Sequence, residues 1–285
     1  MSSPQTLLAE GDDRRLVLRR HGSPWPLLVQ QAPADRRAFI HPLAAPDGDG
    51  VLTEDEPPHH PWQHGLYVGL NDVNGIGFWT EGRLPGHGPD GTFHPAPISP
   101  PRIEGNTAAW QVCSEWRAPD GGPLLRENQT WRLTDRGDTL RLDLAWTLTA
   151  RVDLRFGQHA YGGLFLRMPW RKENGGEVRT SEGAGTIADA EGRRARWVAL
   201  AMPLPDRAAG SAGMAILDHP GNPGHPVSWR VDNNLGIAPS RCIASAWALA
   251  AGAATCSRYR LVAYAGGIDA EMLGQAWRDY AAEPV

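Results

Sequence analysis

Thr139-Leu140-Arg141-Leu142-Asp143-Leu144-Ala145-Trp146-Thr147-Leu148-Thr149 is the stretch whose reading decides the fold. Leu140, Leu142, Leu144, Trp146 and Leu148 fall on one side of a two-residue repeat, and Arg141, Asp143, Thr147 and Thr149 on the other. A period of two belongs to an extended strand, whose successive side chains point to opposite faces; a helix would scatter these leucines around its circumference. Upstream, across Asp135-Arg136-Gly137-Asp138, lies Thr130-Trp131-Arg132-Leu133, so the two segments read as a hairpin. Before them, Trp110, Val112 and Trp116 alternate with Gln111, Cys113, Glu115 and Arg117, which predicts a further strand.

Outward from this core, strands are expected at Arg15–Arg20, Ala38–Leu43, Gly163–Met168, Ala195–Met202, Gly213–Asp218 and Arg258–Ala265. The chain carries 33 glycines and 25 prolines, a punctuation that suits many short strands better than long helices. One helix is expected at the C-terminus, where Asp269 can cap it and Met272, Leu273, Ala276, Trp277 and Tyr280 form one apolar stripe. No fixed-period repeat or linker divides the sequence, and the Pro-rich segment Gly82–Pro101 reads as a long loop beside a site. The expectation is a single all-β domain over residues 1–285, an antiparallel β-sandwich with one C-terminal helix.

Composition narrows the function. At 285 residues, 41% hydrophobic and 21% charged, the chain can bury a large core and is not of disordered type. The net charge is −4 and the arginines are scattered without a basic block, which argues against nucleic acid as a partner. Lys172 is the only lysine, which disfavours Schiff-base and P-loop chemistry. Cys113, Cys242 and Cys256 are odd in number and widely spaced, and form neither a disulfide framework nor a zinc pattern. The N-terminus lacks the basic and apolar segments of a secretion signal, and no apolar run approaches the ~18 residues of a membrane span. A soluble cytoplasmic protein without membrane partners is expected, with room for homo-oligomers.

Chemistry concentrates elsewhere. His59-His60-Pro61-Trp62-Gln63-His64-Gly65-Leu66 places three of the ten histidines within six residues, and Asn71, Asp72 and Asn74 follow among glycines and aromatics. A second cluster, Asp218-His219-Pro220-Gly221-Asn222-Pro223-Gly224-His225-Pro226, is far away in sequence. The two turns are expected to form two walls of one site, because a pocket for a polyhydroxylated or carbonyl-bearing molecule needs convergent donors and acceptors on an aromatic wall. His60, His64, His159 and Asp72 are the catalytic candidates. Asn71, Asn74, Trp62, Arg167, His219, Asn222, His225, Trp229 and Arg241 are the candidates for holding substrate.

Each candidate has a plainer reading. His60 and His64 stand four apart, but Pro61 breaks the helix that would pair them on a metal. A loop that converges them with His159 on a divalent metal stays open, as do acid–base use and simple hydrogen bonding to the backbone. Asp72 and Asn74 could merely cap a turn. Arg167, in a buried strand, needs either an internal carboxylate or a ligand oxygen, and Arg241 poses the same question. Gly86-His87-Gly88-Pro89-Asp90-Gly91 spells G-x-G-x-x-G without a strand–turn–helix context and is rejected as a nucleotide site. No G-x-S-x-G or H-E-x-x-H motif occurs, and no organic cofactor is expected.

Longer motifs run through the chain: His60-Pro61-x-x-His64-Gly65-Leu66, Asn71-Asp72-Val73-Asn74-Gly75 with Phe78-Trp79, and Gly162-Gly163-Leu164-Phe165-Leu166-Arg167. Ser181-Glu182-Gly183, Ala195-Arg196-Trp197 and Asp218-His219-Pro220-x-Asn222-Pro223-x-His225-Pro226-x-x-Trp229 belong with them. By these motifs, over roughly residues 15 to 280, the chain resembles a bacterial family of unknown function whose members are often labelled PmoA-like or "methane oxygenase". Many relatives have His-Pro-His-His-Arg-Gly where this chain has His60-Pro61-Trp62-Gln63-His64-Gly65. A membrane oxygenase subunit needs transmembrane helices, which this sequence lacks, so the label is a poor guide. The resemblance implies carbohydrate metabolism instead, with relatives encoded near sugar oxidoreductases and isomerase-like proteins. Length and strand content also look like the galactose-mutarotase supersandwich, an analogy that fixes no function. The expected activity is His-mediated proton transfer on a sugar or oxidised (3-keto) glycoside, as a lyase, epimerase or hydrolase. The alternative is a β-sandwich that binds a glycan or other small molecule without turnover.

Overall fold

The computed structural model describes residues 5–84 and 90–284. Its frame is two antiparallel sheets, of eleven and nine strands. The strand Thr139–Ala150 lies inside the nine-stranded sheet, between Pro123–Asp135 and Ala254–Ala265. Its burial alternates along its whole length, with Leu140, Leu142, Leu144, Trp146 and Leu148 turned into the core. The hairpin closes as the turn residues dictate: Asp135 pairs with Leu140, Gly137 takes φ +85°, and the Asp135 carboxylate accepts the Gly137 N–H at 2.9 Å. The sheet extends through Ser211–Asp218, Trp197–Pro203 and Glu177–Thr180 on one side, and through Thr107–Arg117 and Thr92–Pro95 on the other.

The main path of the eleven-stranded sheet runs Leu7–Gly11, Arg15–Arg20, Leu28–Gln31, Phe39–Leu43, Leu66–Val73, Gly163–Leu166, Ile237–Pro239, Trp229–Val231. Ile40, Leu66, Val68, Leu164, Leu166 and Ile237 face the other sheet and join its leucines and tryptophans in one buried cluster. Each such side chain stabilises the fold by about 1.5–3 kcal/mol on burial. Glu127, almost fully buried, accepts hydrogen bonds from the Trp116 and Trp146 indoles and from Gln129, while burial pushes its carboxyl up from the ordinary value.

Both sheets also carry an apolar outer face. On the nine-stranded sheet Trp197, Ala199, Ala215, Leu217, Val262 and Tyr264 pack under the helix Ala270–Ala281, which inserts Leu273 and Tyr280. The Asp269 side chain caps that helix by accepting the Glu271 and Met272 N–H groups. On the eleven-stranded sheet Phe39 and Phe165 are both in register with Tyr67, and this aromatic row is covered by loops rather than by a helix.

The all-β sandwich with a C-terminal helix is therefore what the sequence pattern describes, with shifted ends. The strand expected at Arg258–Ala265 begins at Ala254, and that at Gly163–Met168 stops at Leu166. Thr92–Pro95, inside the segment read as a loop, pairs with Thr107–Arg117. Gly86 to Pro89 of the rejected glycine motif lie outside the described residues. Two one-turn helices, Ile187–Ala190 and Arg241–Ala244, were not anticipated. Among the described residues no helix is long and apolar enough to cross a membrane.

Candidate functional site

Strand alternation builds the floor of the site. Because Leu66, Val68 and Leu70 enter the core, Tyr67 faces outward, and the same parity turns Phe165 and Arg167 to that outer face, where both are buried under the covering loops. Over Tyr67 the chain lays Trp79 at 5.4 Å between ring centroids, and Tyr161 meets Trp79 at 4.9 Å. His60 stands edge-on to Trp62 at 5.3 Å. Between these groups lies a pocket lined by His60, Trp62, Trp79, Tyr161, Arg230 and Asp232 among others, with a cavity volume of about 80 Å³. Pockets that enclose a drug-sized ligand measure roughly 300–1,000 Å³, so a ligand would put one edge into this cavity and keep the rest at the surface.

The polar atoms around this pocket divide into engaged and free. Among the described residues, the buried Trp62 Nε1, His60 Nδ1 and Tyr67 hydroxyl make no hydrogen bond. Leaving such a group unmatched costs about 1–3 kcal/mol, a cost that a ligand can relieve. Burial, and after it the charge of Arg167, hold the His60 imidazole below its ordinary value, so the ring is neutral near pH 7. Burial raises the Tyr161 phenol, which stays protonated as a donor. His159 stands edge-on to Tyr161 at 4.5 Å, and the Asn71 amide lies 2.8 Å from its Nε2.

A charged layer supports the aromatic one. His64 is fully buried, stacked on Phe39 at 4.7 Å, with Nδ1 2.7 Å from Asp55 and Nε2 3.0 Å from Glu81. Burial opposes its charge, but the hydrogen bonds to Asp55 and Glu81 outweigh it and raise the imidazole above its ordinary value. Both ring nitrogens donate only in the imidazolium, which leaves no lone pair for a metal or a substrate proton. Glu81 sits at φ +53°, a left-handed backbone that Arg37 and His64 hold from the side-chain end. Burial acts against its charge, yet Arg37 and His64 hold the carboxyl far below the ordinary range. Arg37 passes 4.6 Å over the Tyr67 ring, and Gly69 makes room for it, since a Cβ there would meet Arg37 Nη1 at 2.6 Å.

Several sequence candidates serve other ends. Asp72 caps the Asn74-Gly75 turn by accepting the Gly75 N–H, and Asn74, at φ +55°, ties that turn to Asp153 and Arg155. Arg167 has its internal carboxylate: Asp232 at 2.6 Å, with Gln63 at 2.7 Å. Trp229 is a core residue whose indole donates to the Ala195 carbonyl at 2.8 Å. The second histidine cluster does not line the pocket. Its hub is the buried Asp218, which accepts Asn222 Nδ2 and His225 Nδ1 at 2.7 Å each. His225 stacks on Trp277 and His219 meets Tyr280 edge-on, both against the C-terminal helix. Arg241 lies in a separate cleft. His60 and Trp62 line the pocket, and His159 and Asn71 border it through Tyr161. Among the described residues no three His, Cys, Asp or Glu side chains are grouped to hold a metal ion.

Glu81, Arg37, Asp55 and Asp232 escaped the sequence reading. Arg230-Val231-Asp232-Asn233-Asn234, a charge and amide cluster just after Trp229, was a usable signal for Asp232. Glu81 is a single carboxylate in a loop and had none.

Residues 16–278 match the family of unknown function DUF6807, and the chain belongs to that family. Its description carries no activity and gives no support to a methane-oxygenase label. No curated protein matches the sequence. Among solved structures, an α-galactosidase from Lactobacillus brevis is similar at 12% identity and a TM-score of 0.41, over 92% of this chain and 40% of that one. A galactose mutarotase related enzyme from Lactobacillus acidophilus gives 8% identity and 0.38, over 92% and 99%. The GH36 α-galactosidase AgaA from Geobacillus stearothermophilus gives 9% and 0.42, over 92% and 40%. The chain thus spans about 40% of the length of the two α-galactosidases. Likeness at this level carries neither fold nor activity across.

Proposed function

We propose that this DUF6807 member is a carbohydrate-processing enzyme that docks a neutral sugar or an oxidised (3-keto) glycoside against Trp62, Trp79 and Tyr161. One observation carries the reading: a single pocket combines aromatic faces with a buried indole N–H and an imidazole nitrogen that have no partner among the described residues. Sugar rings offer apolar C–H faces and a rim of hydroxyls, which suits that combination. His60, neutral at pH 7, is a base for a proton alpha to a ketone, and His159 beside Tyr161 is the second proton-handling group. As the C–H bond breaks, its electron pair forms the enolate and the proton passes to imidazole. The Trp62 N–H and Tyr161 hydroxyl are donors for the enolate oxygen. Return of the proton to the other face gives epimerisation, and loss of a β-substituent gives elimination.

The test is solvent-deuterium incorporation into 3-keto glycosides, followed by NMR. The reading expects exchange with the native protein and a loss of about 100-fold or more in His60→Ala or His159→Ala, the usual contribution of a general base. Absence of exchange with every 3-keto glycoside tried would refute the enzymatic reading. A second reading, glycan binding without turnover, is favoured by Asp232. This carboxylate accepts Arg167, Asn234 and Gly236 and, although burial raises it, is held ionised chiefly by Arg167. It is therefore a poor partner acid. Saturable binding of the same glycosides without exchange would select that reading.

A further inference from the structure

Four buried or half-buried arginines each meet a carboxylate: Arg20 with Asp135, Arg37 with Glu81, Arg167 with Asp232 and Arg260 with Asp143. Arg241 differs. Its guanidinium lies 4.3 Å over the Trp247 ring, and among the described residues it has no carboxylate partner. A cation on an indole face gains about 0.5–2 kcal/mol, but among the described residues none accepts a hydrogen bond from the five N–H donors of this guanidinium. Trp247 is itself fixed by Phe156, stacked at 3.6 Å, and its buried Nε1 makes no hydrogen bond among the described residues.

Both groups line one cleft, walled by Leu70, Trp146, Leu148 and Tyr259, with a cavity volume of about 30 Å³. A water needs roughly 10–15 Å³ on that measure, so the space admits a group of a few heavy atoms. The cleft and the pocket over Tyr67 share no lining residue.

We propose that this cleft binds the carboxylate of a small monocarboxylic acid, gripped by the Arg241 guanidinium with the Trp247 indole N–H as a second donor. A planar, singly charged group with two oxygens matches the guanidinium fork. Leu70, Leu148 and Trp146 suit the short alkyl part of such an acid. Sulfate or phosphate would bring a second charge to a cleft whose described lining holds one cation, Arg241, and more oxygens than the guanidinium fork takes up.

The experiment follows the Trp247 indole N–H by ¹H–¹⁵N NMR, identified as the signal missing in Trp247→Phe. Sodium acetate is titrated into the protein at constant ionic strength, and sodium sulfate in parallel. A saturable acetate shift with a dissociation constant on the order of 1–10 mM is expected, within reach of a ligand of so few atoms. Arg241→Met should abolish it and Arg241→Lys should weaken it several-fold, while sulfate leaves the signal in place. If Arg241→Met does not keep the native circular-dichroism spectrum, Arg241→Gln, planar and neutral, takes its place. An unmoved signal in the wild-type titration overturns the proposal without any variant. So does an acetate shift that survives loss of the guanidinium, or a sulfate shift of equal size.

Discussion

The two histidine-rich loops of this chain resemble each other in composition and differ in what surrounds them. The loop holding Asp218, His219, Asn222 and His225 packs against the helix Ala270–Ala281. There Asp218 takes up Asn222 and His225, Trp277 donates to the Asp218 carbonyl, and His219 accepts the Gly221 N–H. The loop holding His60, Trp62 and His64 covers the aromatic row of the other sheet, and there His60 Nδ1 and Trp62 Nε1 end without partners among the described residues. A helix brings its own satisfied backbone to the face that it covers, and its side chains complete the packing. Loops cover a face with gaps, and those gaps are where a ligand can complete the hydrogen bonding. His64 shows that the distinction is made residue by residue, since it shares a loop with His60 yet has both nitrogens taken by carboxylates.

Asp218→Ala should have the largest effect of any single change in either loop. It removes a buried carboxylate from the His225 and Asn222 donors, and a loss of about 3–5 kcal/mol is expected in urea denaturation. The folded fraction should keep the ligand affinity of the native protein, because nothing in that loop lines the pocket.

His64→Gln comes next, at about 2–3 kcal/mol, since it leaves part of the Asp55 and Glu81 acceptors without a donor. Its signature is in pH. The folded-state pKa of His64 lies above the ordinary value, so its contribution is fully present below about 6.5 and fades as pH rises through the folded value. Glu81 has the opposite sign: its lowered value gives stability at neutral pH that is lost only as strong acid protonates it. Denaturation midpoints between pH 6 and 9 should fall in the native protein, and His64→Gln should flatten that fall. An unchanged slope would mean that His64 is neutral in the fold.

These assignments show how far sequence carries. The hairpin at Asp135–Leu140, the alternating strand beyond it and the helix capped by Asp269 were legible because each rests on neighbours in sequence. The aromatic row was not, because Phe39, Tyr67 and Phe165 meet only through strand register. The histidines were visible as a type of residue, and their jobs were not. Which nitrogen is spoken for depends on Asp55, Glu81 and Asp218, whose positions the fold sets. Arg167 and Arg241 make the same point, one answered by Asp232 from 65 positions along the chain and the other by an indole ring.

A finer change probes the pocket alone. Trp62→Phe keeps an aromatic ring and deletes the unpartnered N–H, so the relieved desolvation cost offsets the lost packing and stability should change by no more than about 1 kcal/mol. Affinity for a bound glycoside should drop by about 1 kcal/mol, a factor of roughly five, as a hydrogen bond to ligand is lost. A pH profile of any exchange activity should keep its acidic limb below about 6.5, following the lowered value of His60.

The central claim is that the pocket over Tyr67, and not the loop around Asp218, takes the ligand. Parallel calorimetric titrations of one 3-keto glycoside into His60→Ala and His225→Ala test it most directly. The account predicts at least about a tenfold weaker affinity in His60→Ala, some 1.4 kcal/mol, and native affinity in the folded His225→Ala protein. Native affinity in His60→Ala with binding lost in His225→Ala would contradict it.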